Sequence, residues 1–139
     1  MNMVEQAERQ GRALAICCLV LAALLLLAEV VGSRLLHSDF ADGFWLGMAL
    51  VCALTLMPWR RWLRPTSSLN RLLDDEGVRE HRRMSCTAGF WAALLAALAT
   101  APLAHDTILA AYDVSRVVAT AALVAAMIAF GTLELRAAR

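Results

Sequence analysis

The chain has 139 residues, 60% hydrophobic and 18% charged, with a mean hydropathy of +0.61 and a formal net charge of +1. A soluble domain of this size is roughly 45–50% apolar and about 25% charged, so the composition excludes an ordinary water-soluble globule and points to a membrane protein. Four spans of about 20 residues each leave about 60 residues for tails and connections, which excludes a separate catalytic domain.

A polar tail, Met1 to Arg12, precedes sixteen uninterrupted apolar residues from Ala13 to Ala28. The first span is predicted over 13–36, long enough to cross with some tilt. The acidic residues Glu5 and Glu8, and Glu29 beside the small residues Val30 and Gly32, argue against a cleaved signal peptide. After a polar connection from His37 to Asp42, a second span is predicted over 40–57. Pro58 ends it, and Trp59 and Trp62 anchor it at the interface, where tryptophan is expected.

The connection over 58–83 is the main polar stretch. It holds Arg60, Arg61, Arg64, Arg71, Arg79, Arg82 and Arg83, against Asp74, Asp75, Glu76 and Glu80. A short cytoplasmic helix is expected within it, capped by Ser67, Ser68 or Asn70, with acids early and arginines late to match the helix dipole. Pairs such as Asp75 with Arg79 have the right spacing, and Leu69, Leu72 and Leu73 give an apolar edge for the membrane surface. A third span is predicted over 84–103 and a fourth over 107–133, the latter with Asp113 and Arg116 in its first third.

Seven of the thirteen basic residues sit in the middle connection, and all thirteen are arginine. That usage suggests a GC-rich bacterial source. The positive-inside rule then places both termini and this connection in the cytoplasm. The expected fold is therefore all-α: a polytopic protein of the bacterial inner membrane, with four transmembrane helices in an antiparallel bundle plus the short cytoplasmic helix, forming one domain over 1–139.

Ionisable groups inside a span are the default functional candidates, because each is costly unless paired or hydrated. Four qualify: Glu29 and Arg34 in the first span, Asp113 and Arg116 in the fourth. At about 1.5 Å per residue from the outer ends, Glu29 lies about 10 Å deep, Asp113 about 9 Å and Arg116 about 13 Å. Glu29 is thus placed to meet Arg116. The plainer reading is a structural ion pair between the first and fourth helices, and the sharper one is a proton-linked or cationic-substrate site with Glu29 as the titrating group.

The segment Ala28-Glu29-Val30-Val31-Gly32-Ser33, with Leu35-Leu36 and Gly43-Phe44, resembles the first helix of the small multidrug resistance transporters. That resemblance implies a membrane-embedded Glu29 exchanging protons for cationic compounds. The long arginine-rich connection departs from that family, whose connections are very short, and its Trp and Gly motif in the third helix has no counterpart here. A second pattern, Leu72-Leu73-Asp74-Asp75-Glu76, then Arg79, His81-Arg82-Arg83 and Gly89-Phe90-Trp91, is similar to one in small uncharacterised bacterial membrane proteins. There it lies between two helical hairpins, and the resemblance implies a partner role.

The remaining motifs point away from catalysis. The cysteines Cys17, Cys18, Cys52 and Cys86 show neither CxxC nor zinc spacing, and are expected to pack as small apolar groups. Asp74, Asp75, Glu76 and His81 fan around a helix, so no metal site and no cofactor are expected. Nucleic-acid binding is not expected either, because the four acids offset the phosphate attraction on which it rests. Gly43 and Gly47 form a GxxxG, echoed by Ala93 with Ala97 and Ala125 with Ala129. Such spacing lets helices approach closely, and internal packing is the expected use, with a homodimer as the alternative.

The expectation is a non-enzymatic structural, regulatory or accessory protein, contacting lipid headgroups or a cytoplasmic protein through Arg60, Arg61, Arg64, Arg71, Asp75, Glu76, Arg79, Arg82 and Arg83. The alternative is a small proton-coupled transporter of cationic compounds using Glu29.

Overall fold

The computed structural model describes residues 3–34, 39–57, 76–105 and 110–137, and the side chains of 9–31, 40, 42–57, 79–102 and 110–137. Four helices account for nearly all of them: α1 (Met3–Arg34), α2 (Asp39–Leu56), α3 (Glu76–His105) and α4 (Ala111–Ala137). Three are long and apolar enough to cross a membrane, over Arg9–Val31, Arg79–Pro102 and Ala111–Ala137. The apolar stretch of α2, Asp42–Leu56, is shorter. At 1.5 Å per residue it reaches about 22 Å, against a hydrocarbon layer of about 30 Å.

Several boundaries differ from the sequence-based expectation. Helix α1 takes in most of the polar tail. Helix α3 starts at Glu76, so the last part of the connection predicted over 58–83 is continuous with the third span. Glu76 and Glu80 precede Arg82 and Arg83 there, an order that favours helix, and only Gly77 opposes it. The rest of the expected cytoplasmic helix, including its proposed caps, lies outside the described residues. Helix α2 ends where Pro58 disfavours helical conformation in the residue before it. Its final turn tightens, with Met57 N–H donating to Leu54 O at 3.2 Å. At the start of α4, Val114 N–H donates to Ala110 O at 3.2 Å.

Helix α4 is the centre of the assembly. It packs most extensively on α3, then on α1, and more lightly on α2, while α1 and α2 also meet. Helix α3 makes no comparably extensive contact with α1 or α2 among the described residues. The contacts set a register. Along α4, Arg116, Gly131 and Glu134 meet Glu29, then Ala15 and Leu19, then the Gly11 position of α1. Residue numbers thus fall along α1 as they rise along α4. They also fall along α3, from Gly89 against Ala122 and Ala126 to His81 against Glu134. Along α2 they rise together with α4, from Asp42 at Arg116 to Trp45 at Thr120.

The seams are built from small side chains. The buried positions of α1 are Ala15, Cys18, Ala22 and Leu25, at alternating three- and four-residue steps, and those of α2 are Trp45, Ala49 and Cys52. A Cβ added at Gly89 would lie 2.8 Å from Ala122 O, and one at Gly131 would lie 3.0 Å from Ala15 O. These two glycines allow the backbones of α3 and α1 to approach α4, which is how helices associate where burial from water supplies no drive. Gly43 and Gly47 do not share that role: both are exposed with open space around them, so their expected internal packing is corrected. The stripe that faces the core on α2 runs through Trp45, Ala49 and Cys52, and the GxxxG falls on the opposite side.

Large apolar residues point outward on every helix, among them Ile16 and Leu27 on α1, Leu46 and Leu50 on α2, Leu95 and Leu98 on α3 and Ile128 on α4. A soluble monomer rarely exposes such continuous apolar surface. Several exposed hydroxyls donate within their own helix, as in Thr55 to Val51 O (2.7 Å), Thr87 to Arg83 O (3.0 Å) and Thr132 to Ile128 O (2.8 Å). Back-bonding of this kind satisfies a hydroxyl without a partner on another helix.

Candidate functional site: an ion-paired cluster at one end of the core

The core stripe of each of three helices ends on a polar residue at the same level. On α1 the stripe Ala22, Leu25 continues to Glu29. On α2 the stripe Cys52, Ala49, Trp45 continues back to Asp42. On α4 the buried residues Val124 and Thr120 lead back to Arg116. Helical periodicity therefore delivers two carboxylates and one guanidinium to one place.

Arg116 is the hub. Its side chain is 7% exposed. Nε donates to Glu29 Oε2 at 3.0 Å, and Nη1 donates to Asp42 Oδ1 at 2.7 Å. The guanidinium carbon also lies 5.3 Å from the centroid of the Trp45 ring, within the range of a cation–π attraction. Nη2 is buried and meets no acceptor among the described residues. The Trp45 indole donates from Nε1 to Thr120 Oγ1 at 3.0 Å, and that hydroxyl lies 3.3 Å from Glu29 Oε2, to which it donates. One hydroxyl thus accepts from α2 and donates to α1, as its single proton and two lone pairs permit.

Two physical properties follow. With both carboxylates ionised, the cluster carries two negative charges against one positive. Exposure is graded: Asp42 is 46% exposed and Glu29 18%, so Asp42 forms the mouth and Arg116 the interior.

The candidates from the sequence are therefore divided. Glu29 and Arg116 are brought together. Asp113, in the first turn of α4, is exposed and stands outside the cluster: it lies nearly a turn nearer the start of the helix, past the level at which Glu29 and Asp42 meet Arg116. The side chain of Arg34 lies outside the described residues. Asp42 and Thr120 were not singled out from sequence, and Trp45, in the Gly-Phe-Trp of 43–45, reads there as an interfacial aromatic, whereas it is buried in the core. The signal was available for Asp42 and Trp45, since Asp42, Trp45, Ala49 and Cys52 repeat at helical spacing once α2 is allowed to begin before Asp42.

A second polar contact closes the other end of α4. His81 Nδ1 and Glu134 Oε1 lie 3.0 Å apart, both partly buried. Arg116 and Glu134 are about 27 Å apart along the helix axis at 1.5 Å per residue, which places one polar group near each end of the apolar segment. Arg79 and Arg83 are exposed, whereas Arg82 is half-buried. Arg60, Arg61, Arg64, Arg71 and Asp75 lie outside the described residues, as does the side chain of Glu76. Among the described residues no group of three or more metal-ligating side chains occurs. No family model, curated protein or solved structure matches the chain.

Proposed function

We propose that the chain is a non-enzymatic integral membrane protein that crosses a bacterial inner membrane four times as an antiparallel bundle. Both termini and the arginine-rich connection are then cytoplasmic, and the protein serves as a structural or accessory partner. The contact register described above supports the antiparallel arrangement, and the outward-facing apolar side chains support the lipid setting. One observation carries the accessory reading: the charges that lie deep in the apolar segments are spent on one another, Arg116 tying α1 to α2 and α4. A network shared among three helices holds them in place.

Docking then falls to the cytoplasmic end, where Arg79 and Arg83 are exposed one turn apart on α3. Reversing both charges, Arg79→Glu with Arg83→Glu, is expected to reduce recovery of a cross-linked cytoplasmic partner at least fivefold while the protein stays in the membrane. Unchanged recovery of the same partner would remove the docking role.

A second reading is favoured by a separate observation. The cluster holds two carboxylates for one arginine, and Asp42 opens it to the exterior, an arrangement suited to proton-coupled movement of a cationic compound through Glu29. In proteoliposomes this reading requires pH-driven uptake of a cationic dye that Glu29→Gln abolishes. Uptake unaffected by Glu29→Gln, or absent altogether, would exclude it.

A further inference from the structure

The helices are not all held on α4 in the same way. Gly131 of α4 admits the Ala15 carbonyl of α1, and Gly89 of α3 admits the Ala122 carbonyl of α4. Helix α2 has no such seam: Gly43 and Gly47 have open space around them, and its packing on α4 is lighter than that of α1 or α3. Ala49 and Cys52 join the apolar core midway along α2. Towards its start the ties to α4 are polar: Asp42 to Arg116 at 2.7 Å, the Trp45 indole to Thr120 at 3.0 Å, and the Arg116 guanidinium over the Trp45 ring. In lipid, apolar burial supplies no drive between helices, so close packing and interhelical polar ties decide which stay together. The start of α2 therefore depends on the ties at Arg116 and Thr120.

Arg116 is also incompletely used. Nε serves Glu29, Nη1 serves Asp42, and Nη2 is buried without an acceptor among the described residues. In a guanidinium, Nε and Nη2 form one edge, which can grip both oxygens of a single carboxylate as a forked pair. Glu29 meets that edge through Oε2 alone, the same oxygen that accepts from Thr120. A turn of the Glu29 carboxylate that brings Oε1 to Nη2 would complete the fork, and burial of Nη2 is no obstacle because Glu29 is already beside it. One arginine thus has two arrangements: shared between α1 and α2 as observed, or forked onto α1. The charge on Asp42 selects between them, since an ionised carboxylate holds Nη1 by a charge-assisted bond and a neutral one by a weaker bond.

We infer that Arg116 and Asp42 form a charge-operated latch, which rests on the lipid setting proposed above. With Asp42 ionised, Arg116 ties the start of α2 to α4. With Asp42 protonated, Arg116 closes its fork on Glu29 and the start of α2 swings away from α4. Asp42, 46% exposed against 18% for Glu29, is the carboxylate open to the exterior. The charged groups that face Arg116 are Glu29 from α1 and Asp42 from α2. Tyr112 and Asp113, on α4 itself, are exposed, and α3 places no charged group at this level among the described side chains. Release is confined to one end, because Ala49 and Cys52 stay in the core and α1 keeps its own contact with α2. The Trp45–Thr120 bond, between neutral groups, is then the polar tie left to α4 among those described.

The test uses the full chain in phosphatidylcholine nanodiscs, in a cysteine-free background, with spin labels at Phe40→Cys on α2 and Tyr112→Cys on α4, both exposed positions. Asp42→Asn is expected to lengthen the label distance by about 5 Å, the scale of a one-turn displacement. Lowering the pH from neutral to about 4, the ordinary carboxylate range, is expected to do the same in the parent and to add nothing in Asp42→Asn. Glu29→Gln at neutral pH removes the competing carboxylate and is expected to keep the parent distance. Equal lengthening in Glu29→Gln and Asp42→Asn would mean general loosening and overturn the latch, as would an unchanged distance in Asp42→Asn or a parent that ignores pH. A second label pair, Leu27→Cys on α1 with Tyr112→Cys, should keep its distance in Asp42→Asn; its lengthening would mark unfolding and overturn release of α2. Failure of the parent to enter nanodiscs would instead contradict the lipid setting itself.

Discussion

Replacing Arg116 with alanine is expected to destabilise the folded protein by about 3–5 kcal/mol, the usual consequence of removing one partner from a buried ion pair. The reason lies in what remains. Glu29, 18% exposed, would be left with only the Thr120 hydroxyl as donor, and Asp42 would lose its 2.7 Å bond. Trp45 would lose the guanidinium over its ring, although its indole would still donate to Thr120. The effect should be strongly non-additive. Arg116→Met combined with Glu29→Gln removes both charges and should cost less than the sum of the single changes, as expected for residues in one network. Asp42→Asn should cost about 1 kcal/mol or less, because this carboxylate is nearly half exposed. Unfolding of each variant in mixed detergent micelles measures these values, and equal costs for Arg116→Ala and Asp42→Asn would contradict the geometry.

Gly89→Ala should loosen α3 from α4 and cost about 1–3 kcal/mol, the range for forcing extra volume into a well-packed contact. The added methyl would stand 2.8 Å from the backbone oxygen of Ala122 and 3.0 Å from the Ala126 Cβ. Neither atom belongs to a flexible side chain, so the helices themselves must separate. Among the described residues helix α3 has no other extensive contact to hold it, and the His81–Glu134 pair at its amino end is a polar tie that remains. Gly47→Ala is the matched control: the site is open, and the change should leave the melting temperature unaltered or raise it slightly through better helix propensity. Thermal unfolding in detergent, together with spin-label distances between α3 and α4, reads both outcomes. A lower melting temperature for Gly47→Ala than for Gly89→Ala would place the close contact on the wrong helix.

Much of the fold was legible in the sequence because hydropathy and length govern it. Apolar runs of this length, ended by Pro58 and flanked by arginine, leave few alternatives to long helices. Depth counting was enough to set Glu29 opposite Arg116, since 1.5 Å per residue converts position into height along helices that run in opposite senses. It was not enough to decide which charge finds a partner. Asp113 and Arg116 have similar depths and, three residues apart, neighbouring faces, but Asp113 lies in the first turn of α4, past the level at which Glu29 and Asp42 meet Arg116. Asp42 was read as part of a polar connection, because a charged residue beside His37 and Asp39 looks solvated until α2 is known to start at Asp39. The GxxxG was misassigned for a related reason. Spacing shows that Gly43 and Gly47 share a face, but not which partner that face meets.

His81 and Glu134 illustrate a different limit. They are 53 residues apart, and their meeting depends on how far each helix extends beyond its apolar segment. Helix α3 gains two turns before Met84 by starting at Glu76, and this extension brings His81 level with the end of α4. No local pattern in either segment announces that extension.

The proposed topology threads the chain through the membrane with its arginine-rich connection inside. In a cysteine-free background, Thr66→Cys in that connection and Ile108→Cys between α3 and α4 should be probed with a membrane-impermeant thiol reagent. Intact cells should label Ile108→Cys and leave Thr66→Cys untouched, with the pattern reversed in inverted vesicles. Labelling of Thr66→Cys in intact cells, or of both positions from the same side, would contradict it.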